Sequence, residues 1–376
     1  MLKFLKKVNT KLFSDFIVTP TLLQPNHLPG LDGLRGVAII IVLFSHFFKG
    51  SPYAKSFPGD TGVEIFFVIS GFLITSLLLK EKIKTGRISL KHFYIRRILR
   101  ILPLAYLFLI VLAILNACLS LKIPFNAFLS ASLFYQNIPK LNTYNWFVAH
   151  FWSLSVEEQF YFTFPFLLVY DLNKYIKTII LIIVLVPIIA LLGYTKTGIF
   201  YSNSIVHAAA FAIINLLSKT VCILVGSLLS IMMFKGFFQF KSNSNNRYFS
   251  LLLLIVAILI HTETSTINIP HCGLLLFPLI IGIVIILNLD KASILTRLLA
   301  NPLITYIGLI SYSLYIWQQL FSSPGDRLIK SLPMWQNLIL MSVIAVVSYH
   351  LVEKPFIRLK KRIKNNLGDN SVMPGL

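Results

Sequence analysis

The stretch LDGLRGVAIIIVLFSHFF, residues 31–48, sets Arg35 and His46 eleven residues apart on an apolar run. On a helix, eleven steps make three turns plus about 20°, so the two share a face about 16 Å apart along the axis. Asp32 stands three residues before Arg35 and joins the same stripe. Ionisable groups inside hydrocarbon are costly and tend to mark functional positions. Histidine titrates near neutral pH, so His46 suits proton transfer when a carboxylate orients its ring. Two segments offer such a carboxylate. Glu64 opens GVEIFFVISGFLITSLLL, and Glu157 follows His150 in HFWSLSVEEQFY. Ser153, Glu157 and Tyr161 keep an i, i+4, i+8 spacing on one face, whereas Glu158 points about 100° away. His46, Glu64 and Glu157 are therefore expected to converge in the outer third of a membrane. On residue types alone, a proton relay or a structural His–Glu pair fits the same pattern.

A second constellation is basic. KEKIKTGRISLKHFYIRRILRILP carries Arg96, Arg97 and Arg100, which crowd one side of a helix at three- and four-residue spacings. The planar guanidinium fork suits phosphate, so this triplet reads as a site for a phosphate-bearing cytoplasmic ligand. The usual enrichment of cytoplasmic loops in Lys and Arg accounts for basic residues here equally well.

Such residues need elements to hold them, and composition says which. The chain has 376 residues, 56% hydrophobic and 12% charged, with a mean hydropathy of +0.79. That charge content is about half that of a soluble domain and describes an all-α, polytopic membrane protein. A formal net charge of +21 would suggest nucleic acid in a soluble chain; here cationic loops that orient helices explain it, and no nucleic-acid partner is expected. Cys118, Cys222 and Cys272 stand in or beside apolar runs with no zinc or disulfide spacing, so no metal site is expected. The segment MLKFLKKVNTKLFSDFIVTP lacks the features of a secretory signal and reads as an interfacial helix, with Leu5, Leu12, Phe13 and Phe16 toward lipid.

With about 20 apolar residues per crossing, ten spans are expected, centred near residues 41, 71, 110, 161, 184, 226, 256, 281, 312 and 344. Placing both termini in the cytoplasm puts most of the 34 Lys and Arg residues inside, including the tail RLKKRIKNN. The expected organisation is an N-terminal cytoplasmic or interfacial segment (1–30), one transmembrane domain (31–357) and a basic cytoplasmic tail (358–376). There is no internal repeat and no sign of a second, soluble domain.

With these residues in place, the chain resembles the acyltransferase 3 family of multi-pass membrane acyltransferases. The resemblance rests on LDGLRGVAIIIVLFSHFF, GVEIFFVISGFLIT, FYIRRILRILPLAY, FWSLSVEEQFY, YIGLISYSLYIWQQLF and LVEKPFIRL, in family order from about residue 30 to 360. It implies an O-acetyltransferase-like enzyme whose co-substrate is acyl-CoA, usually acetyl-CoA, reached from the cytoplasm. Its acceptor would be a carbohydrate or glycolipid of the cell envelope or a secreted product, met at the plasma or inner membrane. By the same resemblance, Arg35, Arg96, Arg97 and Arg100 hold or admit the donor. His46 is the general base or acyl relay, and Glu157 is its acidic partner. Asp32, from its place on the Arg35 face, and Glu64, Ser70, Ser153, Tyr312 and Tyr315, within or beside matched motifs, are supporting positions. Many relatives carry a histidine where this chain has Gln318, and some append an extracytoplasmic hydrolase-like domain. This chain is expected to work without that domain, alone or with a separate envelope-biosynthesis partner. The rival reading is a proton-coupled transporter or flippase of an envelope precursor, with His46, Glu64 and Glu157 passing protons. The short broken helix pairs and inverted repeat of many transporters are missing from the sequence.

Overall fold

The computed structural model describes residues 2–15, 17–25, 28–49, 58–138, 141, 144–194, 204–238, 248–261, 273–289, 293–322 and 332–359. Among them regular structure is helical throughout, with no strand. Each of the ten expected centres falls within a helix. Among the described residues, six helices are both long and apolar enough to cross a membrane: Pro29–Phe47, Gly59–Thr85, Leu90–Leu119, Leu172–Gly193, Ser204–Phe234 and Met334–Leu359. The other four expected spans fall on helices that miss that measure for physical reasons. Phe249–His261 and Gly273–Leu287 are too short, Phe151–Tyr170 carries Glu157, Glu158 and Gln159 at its middle, and the segment around residue 312 breaks at Ile310. Residues 360–376 of the expected tail, and Cys272, lie outside the described residues.

In chain order the helices used below are α1 (Leu2–Leu12), α2 (Pro29–Phe47), α3 (Gly59–Thr85), α4 (Leu90–Leu119), α5 (Phe151–Tyr170), α6 (Leu172–Tyr194), α7 (Ser204–Phe234), α8 (Phe249–His261), α9 (Gly273–Leu287), α10 (Pro302–Leu309), α11 (Ser311–Trp317) and α12 (Met334–Ser348). Asp171 starts α6. Its carboxylate accepts from the backbone N–H of Asn173 (2.8 Å) and Lys174 (3.0 Å), the usual N-cap pattern. The Lys174 bond leads in holding that carboxyl below the ordinary aspartate range.

By their contacts the residues form two compact units. The first is Met1–Ile88, Asn137–Pro139 and Val156–Leu309. Its centre is the seam between α3 and α7, where Gly71 meets the backbone of Ile223 and Gly226 meets that of Val68. A Cβ at either glycine would collide with main chain, so the two helices approach as small residues permit in lipid. Thr75 donates to Ser227 (2.7 Å), Tyr175 of α6 bonds the same hydroxyl (2.7 Å), and Ser76 meets Ser230 (2.9 Å). In the same unit, the chain after α1 runs along the end of α7. Val18 N–H donates to Phe234 O (2.9 Å), Lys11 Nζ to Gly236 O (2.5 Å), and Lys235 to Ser14 O. Leu12 is buried, which corrects the expectation that it faces lipid; Phe13 is half-buried. Phe16 and the Leu5 side chain lie outside the described residues.

The second unit is Ser89–Gln136, Lys140–Ser155 and Ile310–Leu376. Trp317 Nε1 donates to Ser348 Oγ (2.9 Å), and Ser313 Oγ donates to Glu353 (2.8 Å) within a π-helical turn, Tyr349–Glu353, that continues α12. Apolar side chains stand outward at helical spacing, among them Ile110 and Ile114 of α4 and Val343 and Val347 of α12, as lipid-facing stripes require.

Candidate active site

Arg35 and His46 lie on one unbroken helix, α2, and both are half-buried. The glycines of LDGLRG explain how that helix is held. Gly33 meets the backbone of Leu299, Gly36 meets that of Ile304, and Gly308 of α10 meets the carbonyl of Asp32. The N-terminal half of α2 is thus locked by backbone-to-backbone approach, which keeps the Asp32–Arg35 turn fixed. At the other end, a Cβ placed on Gly59 would stand 3.4 Å from His46 Nε2 and 3.3 Å from Ser45 Oγ. The His46 ring therefore lies against the first turn of α3.

That turn carries a polar cluster. Glu64 is buried, and its Oε1 accepts from Lys219 Nζ at 2.6 Å while its Oε2 meets His261 Nε2 at 3.0 Å. Lys219 also reaches Asp60 Oδ2 at 3.1 Å, and His261 Nδ1 meets Thr61 Oγ1 at 3.0 Å. A carboxylate only accepts, so the His261 proton toward Glu64 sits on Nε2. The imidazole also packs edge-on against Phe277, 4.7 Å between ring centres. Five side chains from three helices are thereby joined, and Asp60, at 56% exposure, opens the cluster to the surface.

Glu157, on α5, engages α3 at a different point. Ser70 Oγ donates to its Oε1 at 2.7 Å. Ser70 is six residues past Glu64, about 9 Å along the axis, so the two carboxylates engage α3 nearly two turns apart.

In the second unit, Ser153 Oγ meets Tyr315 Oη at 2.6 Å, and that hydroxyl also donates to His150 O at 3.0 Å. The His150 ring is buried among Phe108, Phe151 and Tyr315, with centroids 5.2, 4.9 and 5.6 Å away. Tyr312 donates to Ile101 O at 2.7 Å, fixing α11 on α4. Arg96, Arg97 and Arg100 are half-buried on α4, and Arg97 lies over the Phe93 ring at 5.7 Å. Their helical side is thus partly accessible, as a phosphate contact requires.

Lys219 and His261 were not among the expected site residues. Both carry a legible signal: Lys219 is the lone Lys or Arg in the 31-residue apolar helix α7, and His261 closes the apolar run LLLLIVAILIH. The rule that flags Arg35 and His46 flags these too.

Apolar helices with ionisable side chains embedded among them define a protein whose chemistry belongs at a membrane. Residues 28–352 match an acyltransferase domain, and the chain belongs to that acyltransferase family. It is 31% identical over 356 residues to a Staphylococcus aureus (strain COL) protein named "Putative O-acetyltransferase SACOL0978", covering 88% of this chain and 57% of that one. It is 36% identical over 173 residues to O-acetyltransferase OatA of Staphylococcus aureus (strain NCTC 8325 / PS 47), covering 43% of this chain and 28% of that protein. The chain thus spans little more than half the length of the first of these relatives. No solved structure matches it at a significant level.

Proposed function

We propose that this protein is a membrane O-acyltransferase. It moves an acyl group, acetyl by the relatives' names, from cytoplasmic acyl-CoA to a hydroxyl of a cell-envelope or secreted carbohydrate. The observation that carries the reading is the unbroken helix α2 inside the matched region, with Arg35 and His46 eleven residues apart on one face. About 16 Å of axis separates them, a span that one extended pantetheine arm can follow. The topology proposed is ten crossings with both termini cytoplasmic, in the plasma or inner membrane.

In this reading Arg35, Arg96, Arg97 and Arg100 complement the CoA phosphates at the cytoplasmic side. His46 takes the proton of the acceptor hydroxyl as its oxygen attacks the thioester carbonyl. The carbon–sulfur bond breaks, the thiolate leaves, and the imidazolium returns its proton to sulfur, so the reaction is balanced without a metal or an external acid. Glu157, held by Ser70 about 16 Å along α3 from the turn that meets His46, is the acidic residue this reading assigns to the site.

The test uses purified protein in vesicles with radiolabelled acetyl-CoA and candidate envelope glycans, beside His46→Ala. Labelled glycan in the wild type and a loss of about 10²-fold or more in the variant support the reading. Glycan that crosses the membrane unlabelled, with no CoA binding, overturns it.

A further inference from the structure

Four contacts tie the outer end of α3 to two other helices. Lys219 of α7 bonds both Asp60 and Glu64, and His261 of α8 bonds both Thr61 and Glu64. Asp60, Thr61 and Glu64 occupy the first two turns of α3, the turns that begin at Gly59 beside the His46 imidazole. Each of the two long side chains therefore bridges a pair of groups on those turns, and Glu64, with both oxygens engaged, is the common point. A carboxylate this buried is costly unless both its oxygens are met, so the arrangement has one low-energy form and resists rotation of the α3 end.

We infer that Lys219 and His261 are positioning residues for His46. They fix the wall of α3 against which the His46 ring rests, and so fix the direction in which that ring presents its nitrogen. The inference rests on His46 being the base of the acyl transfer proposed above. Lys219 and His261 touch neither donor nor acceptor in this account, and they act only through Glu64, Asp60 and Thr61.

The experiment compares wild type, Lys219→Met, His261→Phe, and the conservative Lys219→Arg and His261→Gln, all as full chains in detergent with monodispersity checked by gel filtration. Two readouts are taken: acetyl-transfer kinetics, and the rate at which diethyl pyrocarbonate modifies His46, followed by peptide mass spectrometry. Lys219→Met and His261→Phe are expected to lower kcat at least tenfold with KM for acetyl-CoA within twofold. They are also expected to change the His46 modification rate at least fivefold. Lys219→Arg and His261→Gln, which keep the donor to Glu64, are expected to recover most of both. If Lys219→Met is not monodisperse, the Glu64→Gln/Lys219→Met double variant, which leaves no lone buried charge, takes its place with the same expectation. Unchanged kcat, a rise in KM alone, or an unaltered His46 modification rate in a folded variant overturns the inference. A wild type that transfers no acetyl group defeats the proposed reaction instead, and the His46 modification rates then decide the positioning role without turnover.

Discussion

Ser70 and Glu157 meet at 2.7 Å across 87 residues of sequence, a hydroxyl on α3 donating to a carboxylate on α5. Hydrogen bonds to charged acceptors contribute about 1.5–3 kcal/mol, so the contact is strong enough to set the direction of the carboxylate. Ser70→Ala is expected to lower kcat roughly three- to thirtyfold, the range that energy allows when part of it is expressed in the transition state. Ser70→Thr, which keeps the hydroxyl, stays near wild type. Initial rates at saturating acetyl-CoA check both, and an Ala variant as fast as wild type removes Glu157 orientation from the mechanism.

The arginines of α4 should act on binding rather than on chemistry. Arg96→Gln, Arg97→Gln and Arg100→Gln are each expected to raise KM for acetyl-CoA by about three- to tenfold with kcat nearly constant. The effect should shrink at high salt, where exposed charge pairs are screened. Steady-state kinetics at low and high ionic strength measure this; a fall in kcat at unchanged KM argues against phosphate contact.

Stability should respond to the Glu64–Lys219 pair in a non-additive way. Lys219→Met strands a buried carboxylate, and breaking a buried pair from one side costs about 3–5 kcal/mol. The Glu64→Gln/Lys219→Met double variant is expected to be more stable than Lys219→Met alone. Thermal unfolding in one detergent, read for both singles and the double, gives the sign.

Two glycine substitutions separate packing from conformation. Gly71→Val drives a side chain into the Ile223 backbone and should destabilise by about 1–3 kcal/mol or more. Gly273→Ala meets nothing within 4 Å among the described residues and should stay within about 0.5 kcal/mol of wild type. Equal unfolding temperatures for the two would contradict the close α3–α7 seam.

The proposed topology makes its own demand. In a background without native cysteines, Lys84→Cys should label only with membrane-permeant maleimide, and Tyr144→Cys should label with an impermeant one. Both positions are exposed, so accessibility reports sidedness rather than burial. The reverse pattern inverts the chain.

Much of the helical layout was legible because hydropathy alone places long apolar helices; α2, α3 and α7 stand where the apolar runs predict. The shared face of Arg35 and His46 was legible for the same reason, since periodicity within one helix is a local property. Partnerships were not. Glu64 reads as a carboxylate aimed at His46, yet its two oxygens meet Lys219 and His261, 155 and 197 residues away. Nothing in the spacing of one helix encodes which other helix lies beside it. The glycines of LDGLRG show the converse: they sit among chemistry-bearing residues, and their role is to admit the backbone of residues near 299–308.

The 155-residue separation of Glu64 and Lys219 also sets an order for biogenesis. At about 5–20 residues per second, roughly 8–30 s of synthesis passes between the two. During that interval α3 waits with its carboxylate but without its ammonium. What can hold it is α2, already made and packed on it where Gly62 meets the Ala38 carbonyl. The α2–α3 hairpin is therefore the unit the insertion machinery must deliver intact, and α7 arrives later as the strut that completes it.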